Sequence, residues 1–228
     1  MRRVVRGAAL AQVAVLAGLL AGCTEPVVDN RAKPSAEAGG AADSAGPGKG
    51  EGAESGGSVG AAGSACELPV AFDTVRKWKA EAVDTGTAEG GDEVAAELAE
   101  ALLHQGPFTA ACEIDAKPAG NIGFIRVWTG EAGAKAGDAE ALLKEFVKAE
   151  GDTSKAKYSD FSSDSDVSGA EVEYLYTSEA LEETKKERAF LTVTAEGPVV
   201  VHLGGFDTQE HEEMLPAYEL AKRTLRAT

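Results

Sequence analysis

No run in this 228-residue chain is long enough to span a bilayer comfortably: the one sustained apolar stretch, Gly7 to Ala21, falls short of the roughly 20 residues that a membrane helix needs. Aromatic residues are scarce, and every Trp, Tyr and Phe comes after Cys66. Between Thr24 and Ala65 there is no Leu, Ile, Phe, Tyr or Trp, so that stretch cannot bury enough apolar surface to offset its chain entropy. Positive charge is short as well: 22 basic residues stand against 38 acidic ones, a net charge of −16. Such a balance argues against nucleic acid as a partner and against electrostatic adhesion to an anionic membrane face. With three histidines and three cysteines, no cluster at zinc spacing forms, and neither a catalytic motif nor an internal repeat stands out.

What is present begins with an export signal. Met1 to Gly22 joins a basic start (Arg2, Arg3, Arg6) to a short Ala/Leu/Val run. Leu20-Ala21-Gly22-Cys23 then resembles a bacterial lipobox. That resemblance implies cleavage between Gly22 and Cys23, a diacylglyceryl group on the Cys23 thiol, and a mature chain held at the outer face of the cytoplasmic membrane. Two acyl chains, at about 0.8 kcal/mol per buried methylene, suffice for stable anchoring. Residues 23–65 are expected to be a disordered tether with a reach of roughly 35 Å. Within it, Gly56-Gly57-Ser58-Val59-Gly60 fits the G-x-S-x-G pattern of a hydrolase nucleophile elbow, but it lacks the preceding strand and following helix that give the motif meaning.

The folded unit is expected to run from Cys66 to Thr228, a normal size for one domain. In an exported chain the even pair Cys66 and Cys112 is most simply a disulfide; two buried free thiols or a metal pair are the alternatives. Strands are expected at Val70–Asp73 and Trp78–Val83, with Trp78 as a core anchor, and a helix over Asp92–Gln105. A hairpin over Phe108–Ala116 and Ile122–Trp128 turns at Lys117-Pro118-Ala119-Gly120. The helix Asp138–Glu150 buries Leu142, Leu143, Phe146 and Val147. A strand at Glu171–Tyr176 and a hairpin over Ala189–Ala195 and Val199–Phe206 follow. The chain closes in a helix from Asp207 to about Arg226, capped by Asp207 and either kinked at Pro216 or regular only from near Leu215. The fold class is α+β, an antiparallel β-sheet with helices packed on it.

The order of elements, from Leu68-Pro69-Val70-Ala71-Phe72-Asp73 and Trp78 through Cys112 and Trp128 to Met214-Leu215-Pro216-Ala217-Tyr218-Glu219-Leu220, resembles the LpqN-type lipoproteins of high-GC Gram-positive bacteria. The resemblance implies a PsbP-like α/β/α sandwich that serves as an interaction scaffold, with no catalytic residue to carry over. Val75-Arg76-Lys77-Trp78 departs from the Pro-x-Gly-Trp that such opening strands often carry.

Three patterns could hold chemistry. Asp164-Ser165-Asp166-Val167-Ser168-Gly169 matches the first half of an EF-hand loop, but its eighth position is Glu171 and its twelfth is Leu175, so a solvated turn is expected instead. His211 stands among Glu210, Glu212 and Glu213, adjacent residues that a helix points in different directions, so a solvated first turn is expected. His202 lies on a strand in the same segment, and His104 near a helix end reads as a dipole contact. The expectation is a lipid-anchored binding or interaction module for a protein, envelope polymer or small ligand, without catalysis, metal or cofactor. The alternative is an envelope hydrolase or metal-dependent enzyme using acidic residues with His202 or His211.

Overall fold

The computed structural model describes residues 53–84 and 102–228. The lipobox with Cys23 and most of the expected helix Asp92–Gln105 lie outside these residues. The described strands are β1 (Ser55–Val59), β2 (Val70–Val75), β3 (Lys79–Ala82), β4 (His104–Gln105), β5 (Phe108–Asp115), β6 (Gly123–Gly130), β7 (Thr153–Ser162), β8 (Ser168–Ser178), β9 (Glu183–Thr194), β10 (Gly197–Gly205) and β11 (Arg226–Ala227). Helix α1 spans Ala139–Glu150 and helix α2 spans Thr208–Arg223. An antiparallel sheet runs β3-β5-β6-β10-β9-β8-β7, with β4 paired to β5, and a small sheet runs β1-β2-β11. The fold is therefore α+β, as the periodicities indicate.

The large sheet separates two cores. Toward α1 lie Phe108, Ala110, Trp128, Val172, Tyr174, Leu191 and Val200 with Leu143, Phe146 and Val147 of the helix. Toward α2 and β2 lie Phe72, Ile114, Ile125, Val127, Phe190, Val199, Val201 and Leu203 with Met214 and Tyr218. Strand β10 is buried along its whole length, as its apolar sequence requires of a central strand covered on both faces. An irregularity in β5 between Ala110 and Cys112 puts these two residues on opposite faces, although even spacing alone would put them on one. Cys112 thereby reaches the α2 side, where it is bonded to Cys66.

Helix α1 buries Ala139, Leu143, Phe146 and Val147, and Gly151 at φ +107° ends it. In α2 the Asp207 carboxylate accepts the Glu210 amide at 2.8 Å. Pro216 stays inside this helix because it lies on the exposed face, where water can take the carbonyl that its missing N–H leaves free.

Several expectations need correction. Val59 is buried in the α2-side core and β1 pairs with β2, so ordered structure reaches back to Ser55, ahead of the expected start at Cys66. The glycines make this possible: a Cβ on Gly60, at φ +101°, would lie 1.9 Å from the Val70 carbonyl oxygen. The G-x-S-x-G pattern is this edge strand, with a turn rather than a helix after it. His104 and Gln105 pair with β5 directly after the helical residues Leu102 and Leu103, so the helix ends two residues before the expected Gln105. Strand β7 occupies a stretch to which the sequence assigns no element, because an edge strand exposed on most positions shows no apolar alternation. Trp78 is half-buried against the α2-side core. The EF-hand-like run is the β7–β8 turn, where the Ser163 hydroxyl accepts the Val167 amide at 3.1 Å.

Candidate functional site

Helix α1 stops at Glu150, before it reaches the end of the sheet face that it covers. Register then decides which side chains meet there. His202 of β10 sits opposite Ala189 of β9 and Arg126 of β6, while Glu187 of β9 sits opposite Tyr174 of β8. Ala189 is small, which leaves room for Glu187 and Tyr174 to lean toward the imidazole. Glu150 descends from the helix end onto the same point.

The cluster is buried: Glu187 is 1% exposed and His202 6%. His202 Nε2 lies 3.0 Å from Glu187 Oε2 and 3.2 Å from the Tyr174 hydroxyl. The hydroxyl in turn donates to Glu150 Oε2. Although Glu187 Oε2 is within ion-pair distance of the ring nitrogen, it accepts no aligned hydrogen bond, since the same nitrogen meets the hydroxyl. Lys185 holds the other oxygen, Oε1, at 2.8 Å and donates to the Gly205 carbonyl at 2.6 Å. Tyr174 stacks on the imidazole at 6.4 Å and the Phe146 ring meets it edge-on at 5.7 Å.

Burial opposes every charge here, and the neighbours answer it. It pushes the Glu187 carboxyl up, yet the close contact and charge of His202, with Lys185, hold it below the usual range. For His202 burial works downward, and the Glu187 contact and the Glu150 charge raise it above the ordinary value. Glu150 is raised, chiefly by burial, against the pull of His202. Tyr174 is raised well above the usual phenol range by burial first and then by Glu150.

Glu150, Glu187 and His202 line a cavity of about 180 Å³ together with Trp128, Arg126 and Lys185. Beside it a hollow of about 330 Å³ shares Phe124, Arg126, Lys185 and Gly204, and adds Ile122, Phe206, Glu113 and Asp115. Ile122 and Phe206 are 51% and 53% exposed, large apolar groups standing at its rim. Arg126 is fixed between a Glu113 carboxylate and the faces of Phe124 and Trp128, 4.6 and 5.5 Å from the ring centres. A larger hollow, about 670 Å³, lies by Pro107, Phe108 and Leu142, where His104 and Glu131 are the only titratable residues among the described ones lining it. It gathers no converging charges, so it is a weaker candidate despite its size.

Of the residues that stand out in the sequence, His202 is brought into this site and His211 is not. His211 is buried rather than solvated, with Nδ1 unpartnered and its pKa lowered by burial to about 4. Glu210 beside it accepts the Ile122 amide at 3.0 Å, a structural contact. Glu150 and Glu187 escape sequence reading; Glu150 carries a signal as an acid at a helix C-terminus, where the dipole disfavours it, and Glu187 is signalled only indirectly, through His202, a lone polar residue in an apolar strand that needs a buried partner.

A family model described as an uncharacterised lipoprotein matches residues 35–225. The chain belongs to this lipoprotein family. No curated protein is significantly similar to it. Membership makes the protein a lipoprotein and points to the cell envelope, and the described residues contain no helix long and apolar enough to cross a membrane.

Proposed function

We propose that this lipoprotein is a binding module at the outer face of the cytoplasmic membrane, anchored through Cys23, that takes a partner or small ligand with an apolar body and performs no catalysis of its own. The observation that carries the reading is the 330 Å³ hollow, where Ile122, Phe124 and Phe206 offer apolar surface beside Arg126 and Lys185. Glu113, Asp115 and Lys117 also line it, so an apolar patch and charged groups able to fix an orientation meet in one concavity, the two parts that a ligand site combines. The PsbP-like, LpqN-type assignment belongs to the same proposal and draws support from the sheet lying between α1 and α2.

The test compares capture from membranes by the full chain, by an Ile122→Asp/Phe206→Asp variant and by a tether-only control. Capture that exceeds the control and falls about tenfold or more in the rim variant, in line with the loss of two buried apolar anchors, supports the reading. Equal capture by the three would sink it. A metal-dependent role is the second reading, favoured by the convergence of Glu150, Glu187 and His202.

A further inference from the structure

Burying two charged side chains costs several kcal/mol each unless the pairing is near-ideal. The pairing in the 180 Å³ cavity is incomplete. Glu187 Oε2 is buried without an aligned hydrogen bond, and the indole N–H of Trp128, lining the same cavity, has no partner either. One ligand atom from each of Glu150, Glu187 and His202 lies within 4.8 Å of the other two, and the His202–Glu187 separation is 3.0 Å. Around a four-coordinate zinc, with bonds of about 2.0–2.2 Å, neighbouring ligand atoms stand roughly 3.3 Å apart. The three groups therefore need side-chain shifts of only about 1 Å to close on one ion.

We propose that Glu150, Glu187 and His202 are the three protein ligands of a divalent transition metal, zinc foremost, whose open coordination position faces the cavity lined by Trp128, Arg126 and Lys185. Two carboxylates and one imidazole balance a dipositive ion and suit zinc, whereas calcium takes six to eight oxygens that this cavity does not supply. The supporting groups are already placed. Lys185 holds Oε1 of Glu187 while Oε2 is without an aligned hydrogen bond, and the Tyr174 hydroxyl donates to Oε2 of Glu150. Phe146 and Tyr174 fix the imidazole plane from two directions. In the fourth position a water or a small anion would meet the cationic side chains of Arg126 and Lys185. The site shares Arg126 and Lys185 with the neighbouring hollow but takes its three ligands from residues that do not line it.

The experiment uses the full chain in detergent, stripped with chelator and titrated with zinc, with calcium in parallel, by calorimetry. One zinc per chain is expected, with calcium far weaker. Glu187→Gln and His202→Gln should each weaken zinc about tenfold or more, by analogy with the effect of disturbing even outer ligands. Because both residues are buried, Glu150→Gln at the half-buried helix end is the second arm. Zinc at a hundredfold excess over its Kd should raise the wild-type Tm by roughly 5–10 °C, and at the same zinc concentration this rise should shrink by at least half in Glu150→Gln. Absence of stoichiometric zinc in the wild type, calcium bound as tightly as zinc, or an undiminished rise in Glu150→Gln overturns the proposal.

Discussion

His211 offers a direct measure of what this core does to a titratable group. It is 1% exposed on α2, and burial lowers its pKa from 6.5 to about 4, with Arg188, His202 and Lys186 adding to the effect and Glu187 opposing it. In the unfolded chain the ring takes up its proton as pH falls through 6.5; in the folded chain it does so only near 4. Between these values the unfolded state binds more protons, so stability is full above about pH 7 and is lost as pH falls toward 4. The loss worked from the two values is about 2 kcal/mol at pH 5 and about 3 kcal/mol near pH 4. Carboxylates titrate in the same window, so the quantity to measure is a difference of differences. Urea unfolding at pH 7 and pH 5 should show the wild type losing about 2 kcal/mol more than His211→Leu, a variant that cannot charge and leaves no polar atom behind. Equal losses in the two proteins would show that His211 charges freely in the folded state, and the reasoning would fail.

Two further outcomes follow from the α2-side core. Reducing the Cys66–Cys112 bond, which closes a 46-residue separation, should lower stability by about 4 kcal/mol on the chain-entropy model; an unchanged urea midpoint in reductant would contradict it. Gly60→Ala must move a backbone, because the added carbon would lie 1.9 Å from the Val70 carbonyl oxygen. It should cost about 1–3 kcal/mol and speed hydrogen exchange in Ser55–Val59 before the large sheet is affected, and uniform exchange rates would refute that order.

Elements with a clean period were legible. Helix α1 declares itself through Leu143, Phe146 and Val147, and β10 through its unbroken apolar run. The β5–β6 hairpin shows in its Pro-Ala-Gly turn, with Gly120 at φ +105°. What escaped was decided by tertiary pairing. Strands β1 and β7 lie on sheet edges and expose most of their residues, so neither carries an apolar pattern. The bulge that sends Cys112 to the α2 face has no local signature. The candidate site was half legible for the same reason: His202 announces an unmet need in an apolar strand, but its partners come from β9 and the end of α1, positions set by register and helix length.

The end of α1 explains why charge accumulates at this point. A helix one turn longer would place apolar side chains over Glu187 and His202, and a sheet face so covered would carry Leu or Val there. Instead the last residue is Glu150, and Gly151 turns the chain away. The C-terminal end of a helix has a partial negative charge, and here it is joined by two carboxylates at one spot. That concentration of negative potential sits poorly with folding stability, since replacing a buried ionic group by well-packed apolar residues is often neutral or stabilising. Lys185, His202 and Arg126 line the same cavity and offset that charge, yet Glu187 Oε2 still lacks an aligned donor. The arrangement therefore keeps one buried acceptor without a donor in the cavity, and that opening arises from where the helix stops rather than from any motif in the sequence.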